Sequence, residues 1–518
     1  ELETKILEPV SHRYDSATGG VTRYIFPQSG VLDAPNCALT WELTSTEADQ
    51  CLSYPFWAGS LAMLQKMTIR VGGQILSQVE DVGRYATIRN NFNSQSYKEG
   101  VLDVRHGSMN KIRNRPANAL LATGSADRAF HQIYNVECDQ ISEYGYYYAA
   151  ANGHDQQPSK RFSNVAGQSF EAVVRLSDVF PFFAGNRLPV AFMAQVELEV
   201  EWNTCGSAAI AAANIKDSAV IDAPVPATAA ARARLGTTLM TANPTLMCDY
   251  IHYDDQEQAK IDAAINSGGG MALNFTEMVK TRGINPVNLN PAAGAANNTY
   301  EETTSEHIIG MALKEVNKIY VWKEFDLTSP QGIVEIDGNF NQVYTHRSII
   351  DNQFKSQQIP GEKYNFIINN KRIYSKAVQN VGEQHNALSQ CNDRGWNCCD
   401  PYYNTLNYND DKCAELADTV WAAGVPTQVI GSCRTKPYKS GTEHVIGLNL
   451  DTYNKAGNAV GNGTRISSAP IMFEYSRLST GAATGDANGM RAPVNLHFYI
   501  EYRRSLIIRP LGIDISDA

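Results

Sequence analysis

One stretch of the sequence occurs twice, and this repeat limits the folds that the chain can adopt. The first copy is Lys66–Tyr85 and the second is Phe366–Gln384, separated by 298 to 299 residues. The corresponding pairs share residue type and order: Ile69 with Ile367, Ile75 with Ile373, Ser77 with Ser375, Val79 with Val378, Val82 with Val381 and Gly83 with Gly382. The repeat predicts an internal duplication, so the chain is interpreted as two copies of one β-rich domain.

Each copy predicts a strand, a tight turn, a second strand and a short helix. Met67, Ile69 and Val71 alternate with polar residues, as in a strand with one buried face. Gly72-Gly73 suits a two-residue hairpin turn, and Asn369-Asn370 lies within one residue of the same place, since Asn also tolerates left-handed backbone. Ser77 and Glu80 have the spacing of a capping box, which predicts a helix carrying Val79 and Val82. The second capping box is weaker, because Gln379 lies four residues after Ser375.

Composition agrees with two domains and with extensive contacts. The chain has 518 residues, of which 43% are hydrophobic and 19% are charged. That length exceeds one ordinary core, and a low charge content suits surface buried against other subunits or many polar loops. The net charge of −10 argues against general nucleic-acid binding. No run of 18 apolar residues and no signal peptide is present, so no transmembrane helix is expected.

We predict an all-β fold of two tandem eight-stranded jelly-roll sandwiches with short helices and long loop insertions. The expected segments are an N-terminal arm (1–20), a first jelly roll (21–255), a helix and linker (256–305), a second jelly roll (306–510) and a C-terminal tail (511–518). Asp254 or Asp255 is expected to cap a helix that runs through Ile265. The chain begins at Glu1 rather than Met, which leaves open whether proteolysis produced that end.

The counterpart of the last strand is ambiguous in the sequence. Its Leu496–Tyr502 segment matches Val196–Trp202 at a spacing of 300 residues. Tyr499-Ile500 and Tyr502 match Tyr250-Ile251 and Tyr253 equally well. Both equivalences stay open at this level.

Polar residues that could carry chemistry have simpler explanations. Glu197, Glu199 and Glu201 alternate on one strand, which favours a solvated or subunit-facing stripe over an acid–base pair. His252 has no second histidine at ligand spacing and is interpreted as structural. The cluster Arg503, Arg504 and Arg509 is interpreted as solvated strand ends, and the tyrosine cluster as packing between long loops rather than a glycan or partner platform; that cluster comprises Tyr144, Tyr146, Tyr147 and Tyr148.

The ten cysteines show no C-x-x-C pair, so a zinc ribbon is not expected. The first five are far apart and are interpreted as small buried apolar residues. The later five lie in one loop-like region, where disulfides and free thiols are both open; they are Cys391, Cys398, Cys399, Cys413 and Cys433. No catalytic, cofactor-binding or metal-binding residue is predicted.

Several stretches resemble the double jelly-roll major capsid proteins of double-stranded DNA viruses. Gly30–Leu43 and Gly59–Phe92 are similar to the first jelly roll of polinton-like virus and virophage capsid proteins. Cys248–Ala264 resembles the end of that domain in the nucleocytoplasmic large DNA viruses, and Ala312–Leu327 resembles the opening of the second. The insertions at 208–233 and 391–433 match no part of this pattern.

The resemblance implies a structural protein rather than an enzyme. It implies a homotrimer of near-hexagonal outline that tiles an icosahedral shell, is assembled inside the host cell and resides in the virion. The implied partners are other copies of the chain, penton proteins and minor capsid or cement proteins, without specific nucleic acid and without a cofactor. An internal membrane is left open as a partner, because nothing in the sequence indicates it.

Two other classes compete with this interpretation. A cupin-like enzyme would need clustered histidines, but the ten histidines include no H-x-H and no two within five residues; no G-x-S-x-G is present either. A two-domain carbohydrate-binding or adhesive β-sandwich protein is the alternative, supported by the tyrosine cluster and by sequons at Asn274, Asn297 and Asn462.

Overall fold

The computed structural model describes about half of the residues of the chain, in both its N-terminal and C-terminal halves. The described residues are 1–15, 18–45, 50–53, 58–90, 92–93, 101, 105, 162–163, 169–184, 187–203, 211–214, 238–240, 244–286, 301–309, 313, 315–325, 356, 361–368, 370–391, 420–422, 425–427, 445–450, 470–479, 493–510 and 512–517. The tyrosine cluster at 144–148 and the last four cysteines of the later group lie outside them.

Strands dominate the described residues. In chain order they are β1 (Leu2–Leu7), β2 (Ser11–Asp15), β3 (Gly19–Phe26), β4 (Val31–Leu32), β5 (Ala38–Ser45), β6 (Gln50–Ser53), β7 (Leu64–Val71), β8 (Gln74–Glu80), β9 (Phe162–Ser163), β10 (Ser169–Arg175), β11 (Val196–Trp202), β12 (Ala211–Asn214), β13 (Thr238–Met240), β14 (Thr245–Ile251), β15 (Met271–Asn285), β16 (Glu301–Ile309), β17 (Val316–Phe325), β18 (Lys363–Ile368), β19 (Lys371–Arg372), β20 (Val420–Ala422), β21 (Val425–Thr427), β22 (Ile446–Asn449), β23 (Ile471–Ser479), β24 (Val494–Arg509) and β25 (Gly512–Asp517). The α-helices are α1 (Val82–Asn90), α2 (Leu176–Val179), α3 (Asp255–Asn266) and α4 (Val381–Ser389).

Each half of the chain contains two main sheets, and the strand orders of the first pair of sheets correspond to those of the second pair. In the first half, sheet I runs β1-β14-β5-β10 and sheet II runs β2-β3-β11-β7-β8. In the second half, sheet III runs β15-β24-β17-β22 and sheet IV runs β16-β23-β18-β19. The strands named in these four sheets pair antiparallel. Apart from the hairpins β2-β3, β7-β8 and β18-β19, neighbouring strands are distant in sequence, as in Greek-key sandwiches. The all-β, two-jelly-roll fold predicted from the sequence is confirmed.

Alternating side chains explain the sandwich. In β11, Val196, Leu198, Val200 and Trp202 are buried, whereas the intervening glutamates are half-buried. The first core therefore forms between sheets I and II. The second core forms between sheets III and IV around Phe366, Phe473 and Phe498, so each half buries its own apolar faces.

Both predicted hairpin turns are present, and each is followed by a helix, although the first helix starts later than the predicted start at Ser77. Gly72 and Gly73 have φ of 56° and 83°, and Asn370 has φ of 59°. The turns connect β7 to β8 and β18 to β19, and the helices α1 and α4 begin at Val82 and Val381. The duplicated strand–turn–strand–helix unit is therefore real in structure as well as in sequence.

The predicted capping box at Ser77 and Glu80 is wrong. Residues 74–80 form strand β8, where Ser77 lies opposite Ile69, because continued pairing with β7 satisfies more backbone groups than an early helix would. In the second copy the cap is Asn380, whose side chain accepts a hydrogen bond from the Glu383 amide at 2.8 Å. The predicted cap at Asp254 is confirmed, since its carboxylate accepts from the Glu257 amide at 2.9 Å.

The ends of the chain and the expected linker differ from the predicted segments. The expected arm contains two paired strands, because β1 pairs with β14 and β2 pairs with β3. The expected linker, 256–305, contains helix α3 and the long strand β15, which pairs with β24 over its whole length. The expected tail, 511–518, contains β25, which also pairs with β24. Exposed edges of the sheets provide the unpaired backbone groups that recruit these polar segments.

The two possible counterparts of the last strand are resolved by sheet position. β24 and β14 both lie second in their sheets, whereas β11 corresponds to β23. The matched tyrosines nevertheless point to opposite faces, because Tyr250 belongs to the core of its sandwich while Ile500, not Tyr499, belongs to the core of the second. The sequence match therefore finds the right strand in the wrong register.

Candidate inter-unit interface

Helix α1 and the end of β8 lie between the two sandwiches. Val82, Tyr85, Ala86 and Ile88 of this helix are buried. These residues belong to the first unit. Arg84 and Tyr85 of the same helix contact the outward face of sheet III, which is the face that points away from the second core. This contact between units combines hydrogen bonds, ion pairs and ring stacking.

Tyr85 is the centre of the contact. Its hydroxyl donates a hydrogen bond to Glu501 Oε1 at 2.7 Å, and its ring stacks on Tyr499 with centroids 6.1 Å apart and planes at 24°. Tyr85 is fully buried, and burial, with the nearby Glu501 carboxylate, raises its pKa well above the ordinary value. The side chain thus remains a neutral donor across the interface.

Arg84 forms a buried ionic cluster with the second unit. Its Nη2 atom lies 3.0 Å from Glu324 Oε2, and Glu324 Oε1 lies 2.8 Å from Nε2 of His497. Burial would raise the pKa of Glu324, but Arg84 and His497 outweigh it and lower the pKa to about 2. Burial lowers the pKa of His497, against the hydrogen bond to Glu324. The carboxylate is therefore charged and held by two donors.

Asp81 connects the backbone of the first unit to the same cluster. Its carboxylate contacts Lys280 and lies 3.3 Å from Nη1 of Arg84. Its φ of 50° is unusual for a residue with a side chain and costs roughly 1–2 kcal/mol. This conformation ends β8 and starts α1 one residue later, and the two cations on the carboxylate help to stabilise it.

Glu277 on β15 meets the edge of β8. Its Oε1 atom accepts a hydrogen bond from the Gln78 amide at 3.2 Å. Burial raises the pKa of Glu277 to about 7, and the nearby Ser77 hydroxyl and the hydrogen bonds from the Gln78 and Met278 amides oppose that rise. Arg504 completes the edge by donating to the Leu76 carbonyl at 3.3 Å.

Apolar contacts flank these polar groups. Phe182 packs edge-on against Phe275 with centroids 4.7 Å apart, and Phe92 lies 6.2 Å from Tyr320. In each pair one ring comes from the first unit and the other from the second. The two sandwiches are therefore joined by a mixed polar and apolar interface.

Among the described residues that the sequence analysis considered for chemistry, all but one lie away from this interface. Glu199 and Glu201 are on the outer face of sheet II, where they pair with Arg23 at 2.8 Å and Lys66 at 3.1 Å. His252 lies 3.0 Å from Glu3. Arg504 is the exception, because it is an interface residue rather than a solvated strand end.

The buried cysteines fit the sequence interpretation. Cys37 and Cys248 are buried and form no disulfide, as expected for the first five cysteines, and Cys391 of the later group is also buried. Within the described ranges, no three His, Cys, Asp or Glu side chains are grouped as metal ligands. No described helix combines the length and the apolar character needed to cross a membrane.

Sequence reasoning missed Arg84, Tyr85, Glu324 and Glu501 as a group. The only available signal was the polar character of α1 at Arg84 and Arg89, which is common on solvated helices. Nothing in the chain order indicates that a residue near position 85 meets residues near 324 and 501.

Solved viral structures share this architecture, although no family model and no curated protein matches the chain. VP54 of PBCV-1, fitted into a reconstruction of the virophage Sputnik, is 11% identical with a TM-score of 0.52, and the match covers 100% of this chain and 97% of that one. The structure of the Sputnik virophage gives 10% identity and a TM-score of 0.52, with 100% of this chain and 88% of that one covered. The mavirus major capsid protein gives 10% identity and 0.47, with 99% and 90% covered.

The matches to VP54 and to the Sputnik virophage structure extend over the whole chain. The chain is an all-β protein with the double jelly-roll fold of viral major capsid proteins. The resemblance seen in the sequence is thus confirmed as a resemblance of fold.

Proposed function

We propose that the chain is a viral major capsid protein that assembles as a homotrimer of near-hexagonal outline and tiles an icosahedral shell. The observation that carries the proposal is the fixed pairing of two similar sandwiches in one chain. Three such chains present six similar units around a threefold axis, so a closed ring approximates a hexagon. The likeness of fold to VP54 and to the Sputnik virophage structure supports the same role.

We further propose that the two units divide at helix α3. The first comprises residues 1–251 and the second 271–517, because β1 and β25 pair with strands of their own units. The interface around Tyr85 and Arg84 then sets the angle between the units within each chain. The role is structural rather than enzymatic, its place is the virion, and its partners are neighbouring trimers, penton proteins and minor capsid or cement proteins.

The mass of the purified native protein tests the proposal. Light scattering should give three times 57.0 kDa, and electron microscopy of concentrated protein should show near-hexagonal particles. A monomer at micromolar concentration would contradict the trimer and would direct the next experiment to glycan binding. That result would favour the alternative of a two-domain carbohydrate-binding or adhesive protein.

A further inference from the structure

A lysine, a glutamate and a glutamine meet inside the second sandwich. Lys323 of β17, Glu362 just before β18 and Gln384 of α4 are 0%, 3% and 1% exposed. Lys323 shares the core-facing side of β17 with Val321, because alternate residues of a strand lie on one face, whereas Glu324 faces the inter-unit interface. A fully buried lysine and glutamate are uncommon, since each charge loses its hydration.

One carboxylate contacts both of the other groups. Nζ of Lys323 lies 2.7 Å from Oε1 and 2.6 Å from Oε2 of Glu362. The side-chain amide nitrogen of Gln384 donates to the same Oε1 atom, also at 2.7 Å. The Tyr475 hydroxyl donates to Oε2 at 3.1 Å and helps to fix the orientation of the carboxylate. The amine of Lys323 and the side-chain amide of Gln384 are therefore held side by side on one buried carboxylate.

The carbonyl group of the same glutamine is left open. The Oε1 atom of Gln384 is buried and has no hydrogen-bond partner among the described residues. Buried polar atoms are rarely left in this state, so an unpaired acceptor calls for an explanation. The reverse orientation of the amide would place two acceptor oxygens against each other, so the contact with Glu362 fixes which end is the nitrogen. The nitrogen of the amide is thus bound to the carboxylate, while its carbonyl group stays unpaired beside the lysine.

Burial favours the neutral amine of Lys323, which is the nucleophilic form. Desolvation lowers the pKa of this lysine, and the Glu362 carboxylate opposes that shift. Moving one proton from the ammonium to the carboxylate removes two charges from the buried site. The result is an amine beside a carboxylic acid at hydrogen-bond distance, which is the usual arrangement of an activated nucleophile and its proton carrier.

We propose that Lys323 forms an amide bond with Gln384 inside the folded protein, with Glu362 as the proton carrier. Nζ of Lys323 attacks Cδ of Gln384, so a new C–N bond forms and the bond from Cδ to Nε2 breaks. The protonated Glu362 gives its proton to the leaving Nε2 and takes one from the attacking Nζ, so ammonia departs and the carboxyl group is unchanged. Nothing is oxidised or reduced, and the reaction needs no co-reactant.

The fold supplies the conditions for this reaction and gains from it. Groups that are held together in a folded core react far faster than the same groups in solution, because the entropy of bringing them together has been lost already. The new bond connects strand β17 to helix α4, and a covalent link between distant positions restricts the unfolded chain. The bond lies within one chain, so it goes beyond the proposed function and does not depend on the homotrimer.

Peptide mapping by mass spectrometry tests the inference. The purified full-length protein is kept at neutral pH and physiological temperature, then denatured and digested with trypsin. We expect a branched peptide that joins the segments of Lys323 and Gln384 and is lighter than the two linear peptides together by one ammonia molecule. Trypsin should also fail to cleave after Lys323, because the amide bond removes its charge. Complete cleavage at Lys323 and an unmodified Gln384 peptide would overturn the inference.

Two variants and a control assign the roles. Gln384→Met keeps the side-chain length and the pair of Lys323 with Glu362 but has no carbonyl group, so the branched peptide should disappear. Glu362→Gln removes the proton carrier and should also abolish the link to Gln384. Lys363→Met is the control, because this lysine is 40% exposed and pairs with Glu302 at 3.1 Å, and it should leave the link unchanged.

Other outcomes of the same mapping would contradict the proposal. A peptide that joins Lys323 to Glu362 and is lighter by one water molecule would show that the glutamate, not the glutamine, is the acceptor. A link to Gln384 that persists in Glu362→Gln would show that the glutamate does not carry the proton. Light scattering tests the proposed homotrimer separately, so failure of the amide bond and failure of the proposed function are distinguishable.

Discussion

Helices α1 and α4 follow the same kind of hairpin and start 299 residues apart, yet their surroundings differ. Val82, Tyr85, Ala86 and Ile88 of α1 are buried, and the helix packs both on β7 of its own unit and, through Tyr85, on the second sandwich. In α4, Gly382 and Asn386 are exposed, because the helix contacts its own sandwich on one side only. The same local sequence pattern thus produces a buried inter-unit helix in one place and an open helix in the other.

The starts of the two helices show the same difference. Asp81 precedes α1 with a φ of 50° and bonds to groups of both units. Asn380 precedes α4 with a φ of −115° and caps its helix by a local hydrogen bond. Tertiary contacts stabilise the first start, whereas local chemistry is sufficient for the second.

Of the substitutions that compare the two helices, Tyr85→Ala should cause the largest loss in the free energy of unfolding. Tyr85→Ala deletes a fully buried ring and the hydrogen bond to Glu501, so we expect a loss of about 3–5 kcal/mol in the free energy of unfolding. Urea unfolding measures this loss. Asn386→Ala on the exposed side of α4 is the matched control and should change the free energy by less than about 0.5 kcal/mol. Equal effects at the two positions would show that α1 is not the more buried helix.

The interface residue Glu277 should make the free energy of unfolding depend on pH. The pKa of Glu277 rises from 4.5 to about 7 on folding, so the folded protein binds an extra proton between these values. Its contribution is fully present below pH 4.5 and is lost as pH rises through about 7, by about 3 kcal/mol. Glu277→Gln should abolish this loss in unfolding curves recorded from pH 4.5 to 8. An unchanged pH profile in the variant would mean that Glu277 titrates normally.

Glu324 should affect stability in the opposite direction. Because folding lowers its pKa from 4.5 to about 2, its contribution to the free energy of unfolding is present above pH 4.5 and is lost only as the pH falls below that value.

The two hairpin turns should differ by a smaller amount. Gly72→Ala forces a side chain into a φ of 56°, and its Cβ would lie 3.0 Å from the Ala194 Cβ, so we expect a loss of about 1–2 kcal/mol. Asn370→Gly keeps the left-handed conformation and should change the free energy by less than about 0.5 kcal/mol. Urea unfolding midpoints of the two variants provide the comparison. An unchanged midpoint in Gly72→Ala would show that the first turn tolerates a side chain.

Much of the local structure was predictable from the sequence. Alternation around Ile69 and around Glu199 correctly predicted strands, the Gly72-Gly73 pair predicted a hairpin, and Asp254 predicted a helix cap. These features depend on residues that are close in sequence, so they can be predicted from the sequence alone. The capping box at Ser77 failed because pairing with β7 extended the strand through those residues.

The candidate interface was not predictable in the same way. The stacking of Tyr85 on Tyr499 and the bond of Arg84 to Glu324 join residues more than 200 positions apart. No periodicity or motif encodes such a pairing, because it depends on how two finished sandwiches pack.

The sequence by itself determined that the chain contains two similar β-rich units, each with a hairpin followed by a helix. Side-chain periodicity and the backbone preferences of Gly and Asn are local properties, and they act before any distant contact forms. Only the tertiary structure decided which face of β24 meets its own core and which meets the first unit, because a one-residue change of register exchanges the two faces. It also decided which of the two equivalent helices is more buried, since burial depends on the surfaces that pack against a helix and not on the helix alone.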